Sequence, residues 1–411
     1  MGPRRTGTLA TIDRIPERPG YARSMRRLLM ALALLASACS GAGGEDLPDT
    51  SVPTTIPSNT TTAAPATTTT TQVPGGWHLA WQPTALVEGF ADSLADIDGV
   101  GTVSMVRVGD TRIVETAKPD GSIVDRPSGG FVIPAEVHAF DGAAHAEFVP
   151  ASVATTFAGL ADDEIMLGST SAAIRRLTAG DTVTFSSGHK ATVAGIVDDD
   201  YVGDAEVITT RSDLTVFGGF LDKYAVFWFD GHRADLEAAL ESFAGEPVVL
   251  RAWGEPLVFR HGDSVRSQVA FKERFGEFTI RPGGGGFEQE RAWREENIVT
   301  ESIPLLGSVT CHREFIGILR QAMTELDEAG KGGVVNRGSF RGCWNARFIA
   351  GREAISHHSF GAAADINFFE PLDGPHSPIH PDLLVALYTA GLTSGHVWVN
   401  PDPGHFEWFD S

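Results

Sequence analysis

Positive charge is scarce in this 411-residue chain: 32 Lys and Arg stand against 53 Asp and Glu, a formal net charge of -21. A nucleic-acid partner is excluded on that ground, because nothing resembles the basic surface that neutralises a phosphate backbone. The acidity reads as solubility. Membrane-length apolar runs are missing as well. The run LLMALALLASA at 28–38 falls well short of the roughly 20 residues that a membrane-spanning helix needs. Cysteine is limited to Cys39, Cys311 and Cys343. Apolar residues are not lacking: at 42% they are ample for burial, and the length suggests two folded units with accessory segments.

Arg23, Arg26 and Arg27 precede the apolar run, which ends in small residues at Cys39, the pattern of an export signal over 1–39. Residues before Met25 fit no signal, so Met25 is an alternative start to Met1. Ala36-Ser37-Ala38-Cys39 resembles a bacterial lipobox, which implies lipidation of Cys39 and an extracytoplasmic, membrane-anchored protein. Ala36 stands where leucine is commoner, and secretion is the alternative. Residues 40–76, rich in Thr and Pro and almost devoid of large apolar side chains, read as a disordered tether. A lipidated Cys39 leaves Cys311 and Cys343 as an even pair in an oxidising compartment, where a disulfide is expected. The alternative is two separate buried thiols.

Residues 77–282 read as a mixed α/β accessory domain. Leu86, Phe90, Leu94 and Ile97 have helical spacing, strand-like runs occur at VSMVRV, DTVTF, ATVAGIV, AEVIT, YAVFWF and PVVLRAW, and RADLEAALESF reads as a helix. The order IMLGSTSAAIRRLTAGDTVTF, ATVAGIV, AEVITT, with Leu167-Gly168 and Gly180-Asp181, resembles the extracytoplasmic core domain of MacB-type ABC permeases. That resemblance implies binding of an envelope protein partner rather than catalysis; without flanking membrane helices it implies no transport. Asp198-Asp199-Asp200 lacks the spacing of a calcium loop and reads as a solvated turn. Gly283 to Gly286 lack the Lys-Ser/Thr of a phosphate loop and, after Arg-Pro, read as part of a flexible linker over 283–301.

Residues 302–411 change texture. Phe315, Leu319, Ala322 and Leu326 mark one helix face, Pro381 to Ala390 a second helix stopped by Gly391, and ADINF, HVWV and HFEWF short strands. The fold class is α+β: a small antiparallel sheet with flanking helices, preceded by the separate mixed α/β domain. Chemistry concentrates in Ser356 to Asp365 and in Asp402-Pro403-Gly404-His405. A catalytic zinc takes three nitrogen or oxygen ligands and keeps a fourth position open, a set that His358, Asp365 and His405 supply. Gly361 and the alanines after it let the backbone fold tightly between the first two. Asp365 opens the buried-looking run Ile-Asn-Phe-Phe, a poor place for a carboxylate without a partner.

The pattern S-x-H-x-x-G-x-A-x-D followed by D/E-x-x-H resembles that of the D-alanyl-D-alanine carboxypeptidases and the related L-alanyl-D-glutamate endopeptidases, zinc peptidases of bacterial cell walls. The register requires His358 rather than His357 as the ligand. By that resemblance Asp402 is the general base, with Glu407 a lower-ranked rival, and a metal-activated water attacks the peptide carbonyl. The oxyanion would be held by an arginine ahead of the first histidine, Arg347 in preference to Arg341. Ser356 would orient a ligand or substrate. Trp398, Phe406 and Trp408 read as core, and His376 and His380 as solvated.

The function so implied is hydrolysis of an amide bond in peptidoglycan stem peptides with one Zn2+, as carboxypeptidase or endopeptidase; Gly-Cys-Trp-Asn-Ala-Arg leans towards the latter. Two alternatives differ in class. A binding or regulatory lipoprotein would keep zinc without turnover, and a structural zinc would demand a closed shell of four ligands.

Overall fold

The computed structural model describes residues 76–82, 84–210, 216–217, 220–252, 266–398 and 400–409. The signal segment, nearly all of the Thr/Pro-rich stretch and Cys39 lie outside them. Among the described residues no helix is long and apolar enough to cross a membrane.

The first part runs β1 (Trp77–Trp81), α1 (Phe90–Ala95), β2 (Val100–Ala117), β3 (Ile123–Asp125), β4 (Ile133–Phe140), α2 (Gly142–His145), α3 (Ala151–Ala158), β5 (Glu164–Gly168), α4 (Ser169–Arg175), β6 (Thr182–Phe185), β7 (Lys190–Val197), β8 (Val207–Thr210), β9 (Phe220–Phe229), α5 (Arg233–Phe243) and β10 (Val249–Ala252). Strands β2, β4, β8, β5, β7 and β6 pair in that order, and β6 closes back onto β2, giving a six-stranded barrel. Ile113, Val137, Ile165, Val183, Val193 and Val207, all β-branched, fill its interior. The 18-residue β2 outruns the barrel, and β9, β1 and β10 continue from it as a wing. Phe90 and Leu94 of α1 and Leu236 and Leu240 of α5 pack on that wing. The expected helix from Leu86 shortens to Phe90–Ala95, because Gly89 takes the left-handed conformation (φ 77°) at its N-cap.

The second part runs α6 (Gln268–Phe275), β11 (Ile280–Gly283), β12 (Gly286–Gln289), α7 (Arg291–Asn297), β13 (Ile298–Ile303), β14 (Gly307–His312), α8 (Arg313–Glu328), β15 (Ala363–Asp365), α9 (Pro381–Thr389), β16 (Leu392–Gly395) and β17 (Asp402–Trp408). Strand β17 lies between β15 and β16, antiparallel to both. Helix α8 buries Phe315, Ile316, Leu319, Ala322, Met323 and Leu326, the one-face spacing of a 3.6-residue period. Each such large apolar side chain contributes about 1.5–3 kcal/mol by leaving water.

Three local expectations are corrected. Residues 283–301 are not a loose linker but hold a hairpin, helix α7 and most of β13. Gly284 and Gly285, at φ 60° and 79°, form the two-residue turn that demands positive φ at both positions. The strand expected at HVWV lies earlier, at Leu392–Gly395, where pairing to β17 shifts register at Ser394/Gly395; His396 to Trp398 turn away. The core around α8 also takes in Phe271, Phe275, Phe278 and Ile280, upstream of residue 302.

Candidate metal centre

His358 sits on a 3-10 turn, His357–Phe360, that ends at Gly361 in the left-handed conformation (φ 67°). A Cβ at Gly361 would stand 2.5 Å from the His312 backbone nitrogen, so the turn reaches α8 only with glycine there. Asp365 ends β15 directly opposite His405 on β17. Loop and sheet therefore deliver three side chains to one point. His358 Nε2 lies 3.2 Å from His405 Nδ1, and Asp365 Oδ1 lies 3.3 Å from each of those nitrogens.

Both imidazoles are oriented from behind. His358 Nδ1 donates to the Cys343 carbonyl at 2.7 Å, and His405 Nε2 donates to Glu407 Oε2 at 3.2 Å. In the neutral tautomers that these acceptors dictate, the two remaining nitrogens and the Asp365 oxygen all present lone pairs to a shared centre. Three acceptors so close repel one another unless a cation lies between them. Asp365 Oδ1 is buried and no hydrogen bond reaches it, a cost of about 1–3 kcal/mol or more for a charged atom. Metal-ligand bonds of about 2.0–2.1 Å at tetrahedral angles give edges of about 3.3–3.4 Å, close to the 3.2 and 3.3 Å here. The residues fit a small divalent metal of the zinc type.

Electrostatics agree with that geometry. Burial opposes ionisation of Asp365, but the two neighbouring imidazoles outweigh it and hold the carboxyl below its ordinary range. Burial likewise disfavours charge on His405, but Asp365 and Glu407 prevail and push its pKa up to about 9. A proton on His405 thus supplies the cation these acceptors need when no metal does, so metal binding must displace it. Asp402 is shifted upward, by burial and by the Asp365 charge, against the pull of His405.

A cleft of about 350 Å³ opens over His405, with Arg347, Ser356, Trp398, Asp402 and Glu407 on its walls. His358 and Asp365 lie beneath it. Of the two arginines weighed for the oxyanion, Arg347 faces this cleft, whereas Arg341 stacks on Phe369 with 4.7 Å between its guanidinium and the ring centre. Trp398 lines the cleft instead of filling core, its ring 5.0 Å from that of His405, while Phe406 and Trp408 are buried in the core around α8. His380 caps α9 by accepting from the Asp382 amide, rather than being merely solvated. Cys311 and Cys343 form a disulfide with Cα atoms 5.4 Å apart. It fastens β14 to the residue whose carbonyl orients His358.

Sequence reading missed three contributors. His357, passed over as a bystander, is buried with Nδ1 2.8 Å from Glu407 Oε2, so one carboxylate oxygen serves both histidines. Ser359 Oγ accepts from the Arg347 amide at 3.0 Å and donates to its carbonyl at 2.9 Å, anchoring the arginine's backbone. Phe271 of α6 stacks on His357 with ring centres 3.5 Å apart. None of the three left a signal in the sequence, whereas Glu407, already weighed as a rival base, sits two residues after His405 on the same strand.

No family model matches the chain, and no curated protein does. Among solved structures, the periplasmic region of MacB from Actinobacillus actinomycetemcomitans is similar over 43% of this chain and 88% of that one, at 12% identity and a TM-score of 0.30. So weak a likeness carries nothing about function. The peptidase resemblance rests on the motif residues alone.

Proposed function

We propose that this protein hydrolyses an amide bond of peptidoglycan stem peptides, with one zinc ion held by His358, Asp365 and His405, outside the cytoplasm. The observation that carries the proposal is the convergence of three oriented ligand atoms at tetrahedral spacing beneath a cleft that holds a second carboxylate and an arginine. A bound zinc supplies Lewis acidity, which activates water and polarises the scissile carbonyl. Asp402, three residues before His405 and with its pKa raised by burial, takes the proton from the attacking water and delivers it to the leaving amine. Arg347 stabilises charge developing on the carbonyl oxygen. The Cys343 carbonyl and Glu407 keep both imidazoles in their ligand tautomers. Ser356, buried at the cleft wall, positions the substrate. The Cys311–Cys343 disulfide suits an oxidising compartment, and a lipid anchor at Cys39 would hold the enzyme at the membrane facing its polymeric substrate.

The test is mass spectrometry of defined stem peptides after incubation with zinc-loaded protein and with Asp402→Ala. Wild type should release a product and the variant should lose at least about 100-fold in rate, the order of a general-base contribution. Stoichiometric zinc with no product from any stem peptide would leave the binding or regulatory lipoprotein as the better reading.

A further inference from the structure

A second cleft, larger than the first at about 590 Å³, lies between the barrel and the metal-bearing part of the chain. It opens where β2 changes partner: β9 pairs with β2 as far as Gly109, and β6 takes over at Ile113. Asp110 and Arg112 come from that stretch of β2, Ser187 from the β6–β7 turn, Phe217 and Leu221 from the approach to β9 and from β9 itself, and Arg352 from the loop ahead of the histidine motif. Arg352 also lines the cleft over His405, so one residue borders both spaces. The loop is pinned there by Glu353, whose carboxylate lies 2.8 Å from the Arg112 guanidinium.

Volume and charge together define what this space takes. The cleft over His405 stands at the lower end of the roughly 300–1,000 Å³ typical of ligand sites, and the second lies well inside that range. The second cleft carries guanidinium groups and carboxylates side by side with the apolar surfaces of Phe217 and Leu221. A purely anionic ligand would meet Asp110 and Glu353, and a purely apolar one would strip water from both charge signs without replacing it. A peptide bearing carboxylates and an amine, with short apolar side chains between, matches the mixture of both charge signs and apolar surface.

Building on the amide-hydrolase reading above, we propose that this cleft binds the remote end of the same peptide, so that the substrate runs from the metal past Arg352 onto the barrel. The barrel is then a substrate-binding part of the enzyme, and the substrate class is an extended, zwitterionic stem peptide rather than a terminal dipeptide. Contacts far from the scissile bond would hold the chain in register for attack.

The experiment measures binding of synthetic two- and five-residue stem peptides to full-length, zinc-loaded Asp402→Ala protein by isothermal titration calorimetry, alone and combined with Ser187→Trp or Leu221→Ala, the latter an exposed side chain that lines only the second cleft. Ser187 is exposed on a turn, so tryptophan there fills the cleft without entering the core; circular dichroism and zinc content check each fold. The five-residue peptide should bind at least about 10-fold more tightly than the two-residue one, and either variant should abolish that advantage while leaving the short peptide within about twofold. Equal affinity for both lengths, or equal weakening of both by the variants, overturns the extended site and leaves the amide-hydrolase reading standing. Absence of binding at either length overturns both.

Discussion

Helix α6 touches two buried clusters of charge, and the contrast between them separates structure from site. On one side Glu206, fully buried, has both oxygens saturated: Oε1 accepts from the Glu136 amide and from Gln268 Nε2, and Oε2 lies 2.5 Å from Arg175 and 2.6 Å from Lys272. Glu277 completes the network against the same two cations. Every lone pair has a donor, so nothing remains for a ligand. On the other side Asp365 Oδ1 is buried with no hydrogen bond, and two imidazole nitrogens stand 3.3 Å from it. Charge alone does not mark a site; unsatisfied acceptors converging on one point do. The first cluster ties α6 to the barrel, and the second could hold a metal ion.

The difference can be broken by removing the central carboxylate of each. Glu206→Ala leaves Arg175 and Lys272 buried with half their countercharge, and should cost about 3–5 kcal/mol of unfolding free energy by urea titration. Asp365→Ala should instead lose zinc binding by calorimetry and cost the metal-free fold less than Glu206→Ala does, since the proton on His405 loses one partner there and keeps Glu407. Equal stability losses would show that the two clusters do the same job.

Acid should reach the buried titratable groups in sequence. Burial opposes ionisation of Glu206, but Lys272 and Arg175 hold its folded pKa at about 2 against 4.5 when free, so its stabilisation is complete above pH 4.5 and lost as pH falls towards 2. His145 and His312 move the other way: burial lowers each from 6.5 to about 4, so the unfolded chain takes up their protons first and stability declines from pH 6.5 towards 4. Urea midpoints across pH 7 to 2 should fall in both windows, and Glu206→Gln should flatten only the lower one. A wild-type profile flat from pH 6.5 to 3 would contradict both assignments.

Periodicity made the secondary elements legible where a side chain's neighbours in sequence are its neighbours in space. RADLEAALESF forms α5 with those bounds, Phe315 to Leu326 are the buried face of α8, and β6 to β8 fall on the expected runs. The barrel was not legible, because β6 closing onto β2 joins residues about 70 apart through backbone bonds that leave no pattern in either strand. Gly283 to Gly286 misled because a turn and a linker ask for the same residue. At the site, the motif brought His358, Asp365 and His405 together as expected. The residues behind them were hidden for a physical reason: Ser359 and Phe271 act through a backbone clamp and a ring face, and neither interaction fixes a spacing along the chain.

Glu407 offers a finer comparison, between a ligand and the group that orients it. Glu407→Gln keeps shape but removes the charge shared by His357 and His405, and should weaken zinc binding about 10- to 100-fold, the usual cost of losing such a partner. Affinity unchanged within twofold would mean that the strand alone orients His405.

Phe271 gives the smallest effect and the sharpest control. It stacks on His357, which contacts Glu407, which contacts His405, so α6 reaches the metal ligands through three side chains. Phe275, one turn on, is as deeply buried and packs on Trp408 and His312, with no ring contact to His357. Replacing either by leucine should cost about 1–2 kcal/mol of stability through lost ring contacts and a small cavity. Only Phe271→Leu should also lower zinc affinity, by about two- to fivefold, because a loosened His357 lets Glu407 drift from His405. If both variants move affinity equally, the loss follows stability and the stack on His357 positions nothing; if only Phe271→Leu moves it, the helix that anchors the barrel also sets the metal site.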